Sequence, residues 1–419
     1  MTPPAAPFPW RAVAIGVYLP TLLFGLGVGA IVPIIPVVAA DLGAGLALAG
    51  LIAAMPLVGH LIGDIPSGMV VARIGERRAM MAAAAIAAIG MGGALLAPTP
   101  LLLGAALLVA GIAEAAFGLA RHAFLTSAVP FHQRARALST LGGVLRFGML
   151  LGPFTAAGVI ELTGAASAVF WVHIAGSAAA AVALLVVPDP QRAIGRMRAG
   201  AREVDREARG LGATLVRERS VLGTLGVGSA LMMAVRQARQ VVLPLWGVAI
   251  ALDETTISLV VGIAAAVDFS LFFASGWVMD RFGRLWVAAP PLVALAAGFA
   301  VLPLTGDLPA AAVWYVVMAL WLALANGLSS GILMTLGADL ADPRDPAPFL
   351  GAWRFMTDAG GAAAPLLVAG ITAIAGLPLG IAALVPLALG GAIIMRVFVP
   401  RHPPRRAETG PIPVPDGDI

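Results

Sequence analysis

The chain contains neither cysteine nor lysine. Without cysteine there can be no disulfide, no thiolate metal site and no thiol nucleophile. Without lysine there is no phosphate-gripping residue for a P-loop and no Schiff-base chemistry, so an ATP-driven pump and an imine-forming enzyme both lack their motif. All 26 basic residues are arginine. The five histidines, His60, His122, His132, His173 and His402, are scattered without ligand spacing, and no metal or other cofactor is expected. Charge is scarce as well: 11% of the 419 residues are charged, where soluble domains carry about 25%. Hydrophobic residues make up 60%, and the mean hydropathy is +0.96. That is the composition of a membrane protein. The pI near 10.7 raises nucleic acid as a partner, but a net charge of +4 spread over membrane-flanking loops reads as topology instead.

A bilayer core of ~30 Å takes about 20 apolar residues per helix, and such stretches recur along the whole chain. Read against turn signals, they predict spans at 12–37, 46–71, 79–97, 101–121, 137–160, 166–187, 221–248, 256–279, 285–304, 309–334, 349–373 and 378–398. The N-terminal MTPPAAPFPWR lacks a signal-peptide pattern, so the first span is expected to persist. Arg11, Arg73, Arg77, Arg78, Arg134, Arg136, Arg281, Arg284, Arg344, Arg401, Arg405 and Arg406 fall at even-numbered connections or the termini. The odd-numbered connections hold Asp41, Glu161, Asp253, Glu254 and Asp307, and no arginine. Positive residues in short loops stay inside, so both termini are expected in the cytoplasm. Richness in arginine and alanine points to a bacterial inner membrane. The expected organisation is a six-helix bundle over 1–187, a cytoplasmic linker over 188–220, a second bundle over 221–400 and a disordered, proline-rich tail over 401–419.

One phrase is written twice. SGMVVARIGE at Ser67 to Glu76 and SGWVMDRFGR at Ser275 to Arg284 lie 208 residues apart. The same offset places Pro36 on Pro244, Arg136 on Arg344, Gly143 on Gly351, Arg146 on Arg354, Phe147 on Phe355 and Gly152 on Gly360. An ungapped offset of this length marks a duplicated six-helix unit. Six is even, so both halves enter the membrane from the same side, as parallel repeats about an axis along the membrane normal.

These features resemble the major facilitator superfamily over essentially the full chain. The signature of that family after spans two and eight is Gly-x-x-x-Asp-Arg-x-Gly-Arg. The second copy is intact here as Gly276, Asp280, Arg281, Gly283 and Arg284. The first keeps Gly68, Arg73 and Gly75, with Ala72 in the acidic place and Glu76 for the second arginine. The resemblance implies an all-α fold of twelve transmembrane helices in two parallel-related six-helix bundles, with a cytoplasmic gate at these motifs; Asp64 is expected to take part of the missing acid's role. Span five, with Gly142, Gly143, Gly148, Gly152, Pro153 and Gly158, also resembles the glycine-rich span of drug:proton antiporters. Gly148, Gly152 and Pro153 are its expected bending points. Ser139, Ala156 and Ala157 stand where that pattern has glycine, and Leu107 lies near the place of its span-four arginine.

Ionisable groups deep in a bilayer are costly, roughly 2.5 to 3.5 kcal/mol on insertion scales, and read first as functional. Glu114 in span four and Asp268 in span eight fall near the midplane and are the candidates for proton coupling. Arg236 and Arg239 lie one turn apart in span seven. They admit two readings: a fork for an anionic substrate, or permanent partners of acids such as Asp268. Arg146, Asn326 and His60 join them as cavity candidates, with Arg146 expected to reach Glu114 or Asp64. Arg354 and Asp358 are spaced i, i+4, as are His60 and Asp64, and count with the gate. Trp321, Phe272, Phe273 and Trp353 are candidate pocket aromatics. The combined expectation is a non-enzymatic secondary transporter, acting as a monomer with a small molecule, protons and the bilayer as partners. It exports a small amphipathic organic molecule against protons. The alternatives are proton-coupled uptake of an organic anion and a receptor that kept the fold without turnover.

Overall fold

The computed structural model describes residues 10–186, 214, 216–342 and 347–402. The expected linker up to 213, Arg344 and the expected tail from 403 lie outside them. Among the described residues, twelve helices are long and apolar enough to cross a membrane. Helical segments suit that setting because every backbone donor finds its acceptor within the segment.

The N-terminal half comprises α1 (Leu19–Ile31), α2 (Leu46–Ile74), α3 (Glu76–Leu95), α4 (Pro100–Ala128), α5 (Phe131–Thr163) and α6 (Phe170–Val186). The C-terminal half repeats them as α7 (Val227–Ala249), α8 (Glu254–Phe282), α9 (Arg284–Val301), α10 (Ala311–Leu328), α11 (Ala347–Ala375) and α12 (Leu384–Phe398). In the first half α1 packs on α5 and α6, α4 on α2 and α3, and α3 on α6. The second half pairs α7 with α11 and α12, α10 with α8 and α9, and α9 with α12. These are the same neighbours in the same order. The halves meet through α2 against α11 and α5 against α8, each contact joining the mate of one element to the mate of the other.

Backbone details carry the duplication further. A π-helical turn precedes α1 at Ala14–Tyr18 and α7 at Leu222–Gly226, again 208 residues apart. Gly75 and Gly283, between the second and third helices of each half, have φ, ψ of 82°, 158° and 94°, 166°. That region is essentially restricted to glycine, which explains why both copies of the repeated phrase keep it. After the first helix of each half the chain turns through Gly43 (φ 87°) or Ala251 (φ 55°). The backbone bonds agree too: Ala44 N donates to Ala39 O at 2.9 Å, and Leu252 N to Gly247 O at 3.0 Å.

Close approach explains another conserved pair of the repeat. A Cβ added at Gly152 would strike the backbone of Gly29 and Ala30 in α1, and one at Gly360 the backbone of Ala230 in α7. A Cβ at Gly148 would meet Leu22 O at 2.5 Å. These glycines let α5 and α11 lie backbone to backbone on their partners. Helix α5 runs unbroken from Phe131 to Thr163 through Pro153.

Three boundaries differ from expectation. Span one is not a single run: it turns at Val32–Ile34, where Pro33 and Pro36 remove amide donors, and resumes as a short helix Ile35–Asp41. Pro244, a residue type that breaks helices and the repeat mate of Pro36, sits inside α7, which continues to Ala249. Span ten breaks at Ser329–Gly331, with Gly331 at φ 84°, and a further helix Ile332–Leu340 carries it on. Helices α2, α4, α5, α8 and α11 also outrun their apolar cores, at 29 to 33 residues. Polar residues end a hydrophobic run without ending a helix.

Candidate functional site

The inward stripe of α7 carries Met233, Arg236, Gln237, Gln240 and Leu243, the three- and four-residue spacing of one helix face. It borders two chambers. The first, about 300 Å³, is also lined by Arg146 and Pro153 of α5, Asp268 and Phe269 of α8, and Asn326 of α10. The second, about 230 Å³, is lined by His60 of α2, Glu114 of α4 and Asp358 of α11. Val32, Met149, Met233, Gln237 and Gln240 face both, so they form the shared wall. Within that wall Gln240 Nε2 donates to Gln237 Oε1 at 2.7 Å.

The first chamber holds a linked set of charges. Arg239 Nη2 pairs with Asp268 Oδ2 at 2.9 Å. Asn326 Nδ2 donates to the same carboxylate oxygen at 2.5 Å, while Asn326 Oδ1 accepts from Arg236 Nε at 2.9 Å. The amide thus faces the anion with its donor and the cation with its acceptor. Arg236 Nη1 also donates to the Ser329 carbonyl at 3.4 Å. That acceptor exists because span ten unwinds at Ser329–Gly331; the neighbouring Ser330 carbonyl likewise accepts from Ser275 Oγ at 2.7 Å. Arg146 does not meet Glu114 or Asp64. Its guanidinium lies 4.4 Å over the Phe272 ring of α8, a cation–π contact from one half to the other.

In the second chamber Glu114 makes no ion pair among the described residues; Arg121 lies within its electrostatic range. From His60 and Asp358 of this chamber a cluster extends that joins the halves. His60 Nε2 lies 3.7 Å from Asp64 Oδ1, Arg354 Nη2 lies 3.9 Å from the same oxygen, and Arg354 Nε reaches Asp358 Oδ2 at 3.3 Å. Both i, i+4 pairs therefore form, and Asp64 meets Arg354 across the α2–α11 contact.

The motif residues are less concentrated. Gly68 is buried and Gly276 half-buried, while Arg73, Asp280 and Arg281 are exposed. Arg284 makes a two-pronged bond to Asp339, Nε to Oδ2 at 2.6 Å and Nη2 to Oδ1 at 3.1 Å. At the opposite, acidic end, Asp41 of the first half stands near Glu254 of the second. Partial burial and that like charge hold the Asp41 carboxyl above its ordinary range.

Trp321 and Trp353 line neither chamber; their indole N–H groups donate to Ala294 O at 2.8 Å and Leu333 O at 3.0 Å. The side chain of Phe273 lies outside the described residues. Sequence reasoning did not single out Gln237, Gln240 or Asp339. For the glutamines a signal existed: two uncharged polar residues three apart beside Arg236 and Arg239 in an apolar span. Asp339 carried none, since its partner is 55 residues away. Among the described residues, no group of three or more histidines and carboxylates is placed to hold a metal ion.

No curated protein matches the chain by sequence. Solved structures match it in fold. The inward-open xylose transporter XylE from E. coli aligns with a TM-score of 0.70 at 16% identity, covering 95% of this chain and 97% of that one. A bacterial homolog of the human lysosomal transporter Spinster aligns with a TM-score of 0.74 at 14% identity, covering 96% and 100%. A POT family transporter, solved with a thioalcohol-conjugated peptide, gives 0.73 at 12% identity, covering 93% and 96%. The Major Facilitator Superfamily profile matches residues 17–365. With its doubled bundle and its two chambers between the halves, the chain belongs to the Major Facilitator Superfamily.

Proposed function

We propose that the protein is a secondary active transporter that carries a small amphipathic organic molecule through the first chamber by alternating access, driven by protons. The carrying observation is the pair of chambers between two duplicated halves, with separable polar contacts crossing from one half to the other. Glu114 is the proposed coupling group in the second chamber, and Asp268 the acid that senses the first. A carboxylate facing such a chamber exchanges protons with whichever side is open. The Asp64–Arg354 pair and the repeated Gly-Arg turns form the proposed gate. The arginine-rich end is cytoplasmic in this reading, in a bacterial inner membrane, with the chain acting as a monomer. Export is the direction supported by the likeness of span five to the antiporter pattern.

Proteoliposomes enclosing a pH-sensitive dye test it. When a gradient of an organic ion is imposed, protons are expected to move opposite to that ion. Glu114→Gln is expected to abolish the proton signal while the protein still inserts normally. Movement of proton and cargo in the same sense would select uptake. A Glu114→Gln variant with wild-type proton movement would remove that residue from the mechanism.

A further inference from the structure

Building on that transport reading, we propose that the first chamber is a binding site for a small organic anion, its acid group held between Arg146 of the N-terminal half and Arg236 of the C-terminal half. The ionisable lining of this chamber is three arginines and one aspartate, a net charge of +2 when all are ionised. Arg239 and Asp268 offset each other at 2.9 Å. The other two guanidiniums rest on groups that bring no negative charge. Arg236 is held by an amide oxygen and a backbone carbonyl, and Arg146 by an aromatic face. Asp268 lies within electrostatic range of both, but one carboxylate cannot balance three cations.

Two undercompensated cations inside a membrane span are costly unless something negative enters. A carboxylate or phosphate group supplies the two acceptor oxygens that a guanidinium fork fits. Apart from the amides Gln237, Gln240 and Asn326 and the hydroxyl of Ser330, the rest of the wall, with Met149, Leu150, Val261 and Phe269, is apolar, so the ligand carries an apolar body on its acid group. At about 300 Å³ the space sits at the small end of ligand pockets. The lining of the second chamber has Glu114 and Asp358 and no arginine among the described residues, so it offers an anion no guanidinium fork. Because the two arginines belong to different halves, an anion between them draws the halves together.

Equilibrium binding to the purified full chain, with benzoate, succinate, inorganic phosphate and tetraphenylphosphonium as probes, tests this. Saturable binding of benzoate or succinate is expected, weakened about tenfold or more by Arg236→Gln and by Arg146→Gln. Asp268→Asn, which removes the one carboxylate of the lining, is expected to tighten it. A gain in affinity cannot arise from misfolding. Binding of tetraphenylphosphonium in place of the anions, binding of phosphate alone, no saturable response to any anion, or arginine variants that bind like wild type would each overturn the proposal. The measurement uses no proton gradient, so its failure beside intact proton movement in vesicles is separable from failure of the transport reading.

Discussion

Asn326 is the residue on which the charge arrangement of the first chamber turns. Its two ends distinguish a cation from an anion, and both partners lie within a membrane span. Truncation would leave the Arg236 Nε and the Asp268 carboxylate each one hydrogen bond short. Losing a partner of a buried polar group costs about 1 to 3 kcal/mol. Asn326→Ala is therefore expected to lower the thermal stability of the detergent-purified protein clearly, and Gln240→Ala to lower it much less. Equal melting temperatures for Asn326→Ala and wild type would show that the network carries no stability. The candidates Arg236, Arg239, Asp268 and Asn326 were legible in the sequence because a polar side chain in an apolar run stands out one residue at a time. Which of them touch was not legible, since a guanidinium reaches several acids and spacing cannot choose among them. Arg146 shows this: sequence distance allowed Glu114 or Asp64, and the fold put it on an aromatic ring of the other half.

Among the elements, the turn after the first helix of each half is the most informative. Its two copies use the same backbone bonds, yet one has Gly43 and the other Ala251 at positive φ. An alanine held there costs about 1 kcal/mol relative to a relaxed residue. Ala251→Gly is expected to raise stability by about that amount, less the entropy that glycine adds to the unfolded chain. A fall in melting temperature would mean that the methyl packs in a way that repays its strain. Helix identities were readable from apolar runs, and the constant offset predicted that the second half repeats the first. The breaks were not, because proline and glycine only permit a break. Pro36 and Pro244 are repeat mates, and one lies in a short helix after a turn while the other rides inside a continuous one. What decides is whether packed neighbours hold the chain straight, which is a property of the whole bundle.

For the molecule as a whole, alternating access requires contacts between halves to open. A Cβ built on Gly50 of α2 would lie 3.8 Å from the Cβ of Ala369 in α11. That is the usual Cβ separation of a disulfide, about 3.8 Å. The neighbour that must yield is the tip of the Leu245 side chain. In a chain with no cysteine of its own, Gly50→Cys/Ala369→Cys is expected to oxidise cleanly, halt transport in vesicles, and recover when reduced. Unchanged flux in the oxidised form would exclude separation of the halves at this end.

The glutamine pair in the shared wall has one more consequence. Amide groups relay polarity but neither accept nor give up a net proton near neutral pH. In the transport mechanism proposed above, Gln237 and Gln240 therefore stand as an insulating shutter between the cargo chamber and Glu114. On that mechanism, energy passes between the compartments by movement of the helix they share, and not by hydrogen ions crossing the wall.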